Sequence, residues 1–153
     1  MRTIDVSDKR GNYEVVLDKE GEDVRIVGAF ETHGSESIDL NLKIIHKVPH
    51  TSAQTLLRGV AWDSSTLKLW GTIIIDKGAQ QTNSFLKENV LLMSPTARAE
   101  AVPNLEIEAN DVKCSHAATI SKIPEEHLFY LMSRGITRVA AEMLIVDGFL
   151  NLR

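Results

Sequence analysis

Short runs of alternating apolar and polar residues, separated by turn residues, constrain the fold of this chain most strongly. In SIDLNLKIIHKV, an apolar residue stands at every second position from Ile38 to Ile44. A period of two predicts a strand with one buried face. YEVVLDKEGEDVRIVGAF reads as two further strands, broken by a charged turn around Gly21. Many short strands of this kind predict a sandwich, a barrel or a β-helix, and no strict repeat chooses among the three.

The middle of the chain continues the pattern. TLLRGVAWDSSTLKLWGTIIIDKGA predicts two or three strands, with a turn at Asp63 and corners at Gly71 and Gly78. NLEIEANDVKCSHAATI is the last predicted β segment. Its two apolar sets fall on opposite parities, so a turn or bulge at Asn110 and Asp111 is needed for both to face inward.

The pattern changes at Pro124. Proline suits the first position of a helix, the two glutamates after it favour the N-terminal end, and Gly135 suits the C-terminal cap. Thr137 is predicted to cap a second helix. The predicted apolar stripes consist of Leu128, Leu131 and Met132 on the first helix, and of Ala140, Met143, Leu144 and Ile145 on the second. The predicted units are residues 1–123, a β body, and residues 124–153, a helical region.

Composition excludes several classes of function. The net charge is −4 and no long basic run is present, which argues against nucleic acid as a partner. No run of about 18 apolar residues and no signal-like N-terminus is present, so the expectation is a cytoplasmic protein without a membrane partner. The single cysteine, Cys114, excludes an internal disulfide and a self-contained four-cysteine metal site.

The segment PNLEIEANDVKCSHAATISKIPEEHLFYLMSRGI, residues 103–136, resembles the signature of the SufB/SufD family of iron–sulfur cluster assembly scaffold proteins. That signature joins a Pro-x-Leu-Glu-Ile strand and a Ser-His-x-Ala-Thr strand to a Leu-Phe-Tyr-Leu helix and Ser-Arg-Gly. The preceding LLRGVAWDSSTLKLWGTIIIDKGA fits as well. The resemblance extends from about Arg25 to the C-terminus.

The resemblance implies a mainly β chain, a shortened right-handed parallel β-helix followed by a two-helix C-terminal region. It implies a scaffold role without catalysis, pairing with a second SufB/SufD-type chain as a homodimer or heterodimer. The helical region would carry a SufC-type ATPase of the ABC class. Iron or an iron–sulfur cluster, built from delivered iron and persulfide sulfur, would be held transiently.

Two departures from the family pattern bear on these expectations. Family members are commonly much longer, so the chain matches only their C-terminal part, and whether its length is natural stays open. SufB-type sequences also carry a sulfur-accepting cysteine in the segment that aligns with residues 85–92, where this chain has Glu88. SufB-type sequences also read His-Glu-Ala-Thr where this chain has His116-Ala117-Ala118-Thr119. Both marks favour SufD, whereas Ile120-Ser121-Lys122-Ile123 is closer to SufB, so the subtype and any flavin involvement stay open.

Cys114 and His116 are the candidate metal or cluster ligands. On a strand, residues two apart share a face, with Cα atoms about 6.6 Å apart. Two ligands cannot close a tetrahedral site, so the remaining ligands must come from a second chain or from sulfide. Read from the residues alone, Cys114 equally fits a small buried hydrophobe. The resemblance carries an interface histidine of the SufD type onto His116.

Further candidates are contacts with partners. Glu106 and Glu108 alternate outward from the apolar residues of their strand and suit a solvated face or a pairing edge. Arg134 complements the dipole of the first helix, and the resemblance adds contact with the ATPase. His46 and His50 are four apart, on a strand and a turn, and are not expected to share a metal.

Two rival functions remain from the sequence. One is a structural paralogue that braces the complex without binding a cluster. The other is a β-helical transferase or polysaccharide-acting enzyme. The sequence shows no hexapeptide repeats, which a β-helical acyltransferase should have, and no clustered acidic and basic residues on one strand face, which a polysaccharide lyase should have.

Overall fold

A computed structural model describes residues 1–152. Nine strands precede two helices. The strands are β1 (Arg2–Asp5), β2 (Gly11–Leu17), β3 (Asp23–Thr32), β4 (Ser37–His46), β5 (Ser52–Ala61), β6 (Thr66–Ile75), β7 (Thr82–Leu92), β8 (Arg98–Ile107) and β9 (Val112–Ser121). The helices are α1 (Glu125–Ser133) and α2 (Arg138–Leu150).

Successive strands alternate between two sheets, and every strand pair is parallel. The odd-numbered strands form one sheet in the order β1-β3-β5-β7-β9, and the even-numbered strands form the other as β2-β4-β6-β8. Each strand therefore pairs with the strand two places later in sequence, and the chain winds through about four turns. The mainly β fold and the parallel β-helix with two C-terminal helices are confirmed.

A coil takes about 30 residues, a period that the sequence alone did not show. Asn12 and Asn41 hydrogen-bond across adjacent coils at a separation of 29 residues, and Thr119 and Asn89 do so at 30. Corners repeat in backbone conformation but not in residue type. The corners before β3, β5 and β7 hold Gly21, His50 and Gln81, with φ of 74°, 60° and 57°. Because three different residue types fill one stacked position, no sequence repeat reports the coil.

The apolar alternation faces the space between the two sheets. Inward side chains from both sheets form one core. From β2 to β7 it contains Val15 and Leu17; Val24, Ile26 and Phe30; Leu40, Leu42 and Ile44; Ala53 and Leu57; Leu67, Leu69, Ile73 and Ile75; Leu86 and Val90. The long segment predicted as a last β unit is two strands, with the corner at residues 108–111. That corner moves the chain from one sheet to the other, so both apolar sets face inward as predicted.

Gly71 is not a corner. It lies in the middle of β6 and faces inward, where a Cβ would meet Leu86 Cδ2 and would lie 2.7 Å from Glu88 Oε1. Gly78 does lie in the turn before β7, and the turn at Asp63 is also as predicted. The glycine in β6 therefore makes room for side chains of β7 rather than for a change of chain direction.

The helices pack back on the outer side of the odd-numbered sheet. Leu128 of α1 and Ala141 and Val146 of α2 are buried in a second cluster with Val60 and Leu91. Arg58 Nη1 donates to the carbonyl oxygens of Phe149 and Asn151, at 2.6 and 3.0 Å. Cations complement a helix C-terminus, so this contact holds the end of α2 against β5.

The predicted caps are close to those observed. Thr137 is the N-cap of α2, and its hydroxyl accepts from the backbone N–H of Ala140. Pro124 stands one position earlier than predicted, as the N-cap of α1. Across the described residues, neither helix combines the length and the apolar character that crossing a bilayer requires.

The predicted stripe of α2 is largely wrong. Met143 and Leu144 are 46% and 55% exposed, and Ala140 is also exposed. The buried face instead carries Ala141 and Val146. α2 is apolar nearly all round, so periodicity alone does not decide which side packs on the sheet.

One histidine belongs to the core. His46 is fully buried; its Nδ1 lies 2.8 Å from Thr51 Oγ1 and its Nε2 lies 3.0 Å from Ser84 Oγ. Hydroxyls both donate and accept, so they satisfy both nitrogens of a neutral ring. Burial lowers the pKa of His46 from 6.5 to about 4.

We predict that His46 makes stability fall in mild acid. Between about pH 6.5 and about pH 4 the unfolded chain binds a proton at this position and the native chain does not, so the free energy of unfolding decreases as pH falls. The full effect is about 3 kcal/mol. Urea unfolding across this pH range is expected to show a shallower pH dependence for His46→Gln than for the natural chain. His127→Gln, at an exposed position of α1, is the control, and equal pH dependence in His46→Gln and the natural chain would contradict the prediction.

Candidate functional site

The coil formed by β8 and β9 ends the β-helix with its interior uncovered. Among the described residues β8 pairs only with β6, and β9 only with β7. Leu105 and Ile107 lie in register with the buried Ile73 and Ile75, yet are 42% and 40% exposed because no coil follows them. Ile120 of β9 is 43% exposed. Two free strand edges around exposed apolar side chains form a surface suited to a partner. We call this surface the open end.

Cys114 and His116 lie on the inward face of β9, at the open end. Their ladder partners on β7 are Ser84 and Leu86. Cys114 is half-buried and packs against the main core. Burial raises the pKa of its thiol. In the isolated chain Cys114 is therefore a protonated thiol, and a metal must displace that proton in order to bind sulfur.

His116 is paired with a residue that sequence reasoning did not include in the site. Its Nε2 lies 3.1 Å from Oε2 of Glu88, and the two side chains are 2% and 0% exposed. Burial raises the pKa of the Glu88 carboxyl, and the hydrogen bond and charge of His116 offset part of that rise. The pair thus places a carboxyl group and an imidazole in contact inside the last two coils.

Two neighbours make room for Glu88. Gly71 of β6 faces it without a side chain, since a Cβ there would lie 2.7 Å from Oε1. Ala118, its ladder partner on β9, is small, and His116 stands two residues before Ala118 on the same face. The Glu88–His116 contact is therefore a diagonal pair between neighbouring strands.

The sequence held a weak signal for this pair. Glu88 and His116 are 28 residues apart, close to the length of one coil. Alternation puts both on inward faces, but the coil length is needed to bring them together. From the sequence, Glu88 was noted only as lying near the position where SufB-type sequences carry a cysteine.

Other predicted residues lie elsewhere. Glu106 is exposed on the outer face of β8 and accepts a hydrogen bond from Asn104. Glu108 is exposed in the following corner, where its N–H donates to the carbonyl of Ile75. Arg134 is exposed at the end of α1, over the ring of Tyr130. Within residues 1–152, none of these three forms a hydrogen bond or an ion pair with His116 or Cys114.

His46 and His50 do not share a site. His46 faces the core with both ring nitrogens hydrogen-bonded, whereas His50 is exposed in the next corner, 3.8 Å from Glu20. Within residues 1–152, no three His, Cys, Asp or Glu side chains gather as a metal site. The ligands that this chain offers at the open end are thus fewer than a metal requires.

The chain matches a family model described as SUF system FeS cluster assembly, SufBD core domain, over residues 3–149. The chain belongs to the SufBD family. It is 32% identical to the iron-sulfur cluster assembly protein SufD of Escherichia coli over 140 residues. That aligned stretch is 92% of this chain and 33% of the Escherichia coli protein. The SufD of Bacillus subtilis is 36% identical over 117 residues, 76% of this chain and 27% of that one.

A mycobacterial relative extends the comparison. An iron-sulfur cluster assembly SufBD family protein of Mycobacterium leprae is 34% identical over 123 residues, 80% of this chain and 14% of that protein. This SufBD chain therefore spans a third or less of the length of these relatives. The family model describes the core domain of SufBD proteins of the SUF system, and both SufD relatives are named as iron-sulfur cluster assembly proteins.

Proposed function

We propose that this SufBD chain is a non-catalytic scaffold subunit on which iron or an iron–sulfur cluster is held transiently during assembly. The observation that carries the proposal is the open end, where two unpaired strand edges, exposed apolar side chains and the pair Cys114 and His116 occur together. Such a surface needs a second chain, and a site with too few ligands needs one as well.

The second chain is of the SufB/SufD type, as a homodimer or a heterodimer. Its own last coil would present matching edges, so that β8 and β9 gain backbone partners. Ile107 and Ile120 would then be covered, which removes apolar surface from water. Glu106, on the outer face of β8, and Glu108, just beyond its end, are placed to contact that chain at the rim.

The cargo is iron or a cluster at the dimer interface. His116 supplies an imidazole, Cys114 a thiol, and the second chain and sulfide supply the remaining ligands. Because burial raises the pKa of Cys114, its sulfur becomes a ligand only when iron displaces the proton. Cluster binding is therefore coupled to formation of the dimer.

The two helices would carry a SufC-type ATPase. Phe129 of α1 and Val139 of α2 are 74% and 71% exposed. Val139 and Met143 are four residues apart and share one side of α2. Arg134 lies between Phe129 and Val139 in sequence, and its guanidinium group lies over the Tyr130 ring. Nucleotide hydrolysis would be the partner's activity, and its cycle would rearrange the dimer interface.

A structural paralogue that braces the complex without cargo is the second candidate. It is favoured by the lack of a cysteine in residues 85–92, where SufB-type sequences carry one, and by the raised thiol pKa of Cys114. Both candidates predict a cytoplasmic protein with no nucleic-acid or membrane partner, consistent with a net charge of −4. They differ only in what Cys114 and His116 do.

We predict that cluster assembly requires the second chain and His116. Anaerobic reconstitution with iron and sulfide would be run with the chain alone and with a SufB-type chain and the ATPase present. His116→Ala is expected to lose most of the iron and visible absorption that the complex gains, and Cys114→Ala a smaller part. Equal iron in all variants of an intact complex would favour the bracing paralogue.

We also predict that a charge on the exposed side of α2 abolishes ATPase binding. Val139→Asp places an unpaired carboxylate in the proposed interface, where burying it costs several kcal/mol, roughly enough to lose micromolar binding. Binding of purified SufC-type ATPase would be measured by calorimetry. Val102→Asp, a similar change on the outer face of β8, is the control. Full binding by Val139→Asp would contradict this docking surface.

A further inference from the structure

Two buried polar atoms of the Glu88–His116 pair lack hydrogen-bond partners within the described residues. They are Oε1 of Glu88 and Nδ1 of His116. Buried polar atoms are paired in the great majority of native structures, so two orphans in one contact call for an explanation. The contrast with His46 is direct, because both of its ring nitrogens are satisfied by hydroxyls.

We propose that Glu88 is a positioning residue that holds His116 as its Nε2–H tautomer, so that Nδ1 is the nitrogen presented to iron. This inference rests on the proposed function and deepens it. His116 Nε2 lies 3.1 Å from Glu88 Oε2. With the ring proton on Nε2 and donated to that oxygen, a neutral imidazole carries its lone pair on Nδ1. Histidines that bind metals commonly donate their other ring N–H to a carboxylate in this way.

The surroundings fix Glu88 in this role. Its side chain is fully buried, and the absence of a Cβ at Gly71 leaves the space that Oε1 occupies. A rigid carboxylate limits rotation of the His116 ring, which is 98% buried as well. The ring orientation is therefore set before iron arrives.

Register separates the carboxylate from the thiol. Glu88 pairs with Ala118, and Ser84 pairs with Cys114. Along β9, the position beside Glu88 and the position of Cys114 therefore lie on opposite sides of His116. Glu88 thus supports the histidine from one side, and Cys114 stands on the other. Near the position where SufB-type sequences carry a sulfur-accepting cysteine, this chain instead has a glutamate that orients a ligand.

The test reads the tautomer without metal. Histidine-labelled chain would be studied by long-range proton–nitrogen correlation near neutral pH, with His116→Gln used to assign the signals. We expect Nε2 of His116 to be protonated, Nδ1 to be bare, and the Nε2–H proton to exchange slowly with water. Glu88→Ala is expected to speed that exchange at least roughly 10-fold, because the acceptor is lost. Glu100→Ala, at an exposed glutamate of β8, is the matched control.

The second measurement reads iron. In the complex with a SufB-type chain, Glu88→Ala is expected to weaken Fe²⁺ binding by roughly 10- to 100-fold, and Glu88→Gln, which keeps the shape, by less. Retained nuclear magnetic resonance dispersion would establish that each variant is folded. A wild-type His116 protonated at Nδ1, or unchanged exchange in Glu88→Ala, would overturn the inference.

The two proposals fail in different ways. Iron binding that depends on His116, together with an Nδ1–H tautomer, contradicts the role of Glu88 and leaves the scaffold function standing. The expected tautomer, together with iron binding that is indifferent to His116, contradicts the scaffold function and the presentation of Nδ1 to iron.

Discussion

Parallel pairing between coils is the constraint on which the rest of this structure depends. Every strand from β3 to β7 takes backbone partners on both sides, from the coils before and after it. That arrangement keeps inward positions stacked on inward positions, so the core grows by repetition. The same arrangement leaves the last coil with backbone partners on one side only, among the described residues. β8 and β9 continue the inward pattern, no further described strand covers their inward side chains, and the candidate site lies there.

The buried polar side chains of the described residues differ in how fully they are hydrogen-bonded. His46 sits deep in the stack with a hydroxyl for each nitrogen, and its low pKa follows from burial in a neutral network. Glu88 and His116 satisfy one atom each through their mutual contact, and the other polar atom of each side chain has no partner among residues 1–152. A half-satisfied pair is costly in a closed core and useful beside an interface. Its place at the open end connects the cost to the proposed function.

The sequence predicted what local pattern controls. Alternation from Ile38 to Ile44 gave the inward face of β4, and the parity change at Asn110 and Asp111 gave the corner between β8 and β9. The Thr137 cap of α2 also followed from local chemistry, whereas Pro124 is the N-cap of α1 and not its first helical residue. Family motifs, rather than periodicity, selected the parallel β-helix among three all-β possibilities.

Features that depend on the coil length could not be predicted from the sequence. Gly21, His50 and Gln81 share a corner conformation without sharing a residue type, so the period of about 30 residues stayed hidden. Without that period, Glu88 could not be placed beside His116, and Gly71 read as a turn. α2 was misjudged for another reason: apolar residues surround it, and only packing on β5 decides which side is buried.

Hydrogen–deuterium exchange on the chain, alone and mixed with a SufB-type chain, tests the central claim most directly. If the open end pairs with a second chain, backbone amides of β8 and β9 will gain protection on mixing, because their free edges acquire hydrogen-bond partners. β1 and β2, the edge strands at the opposite end, serve as the internal control and should not change. Protection confined to β1 and β2, or no change at β8 and β9 in a complex that forms, would contradict the account.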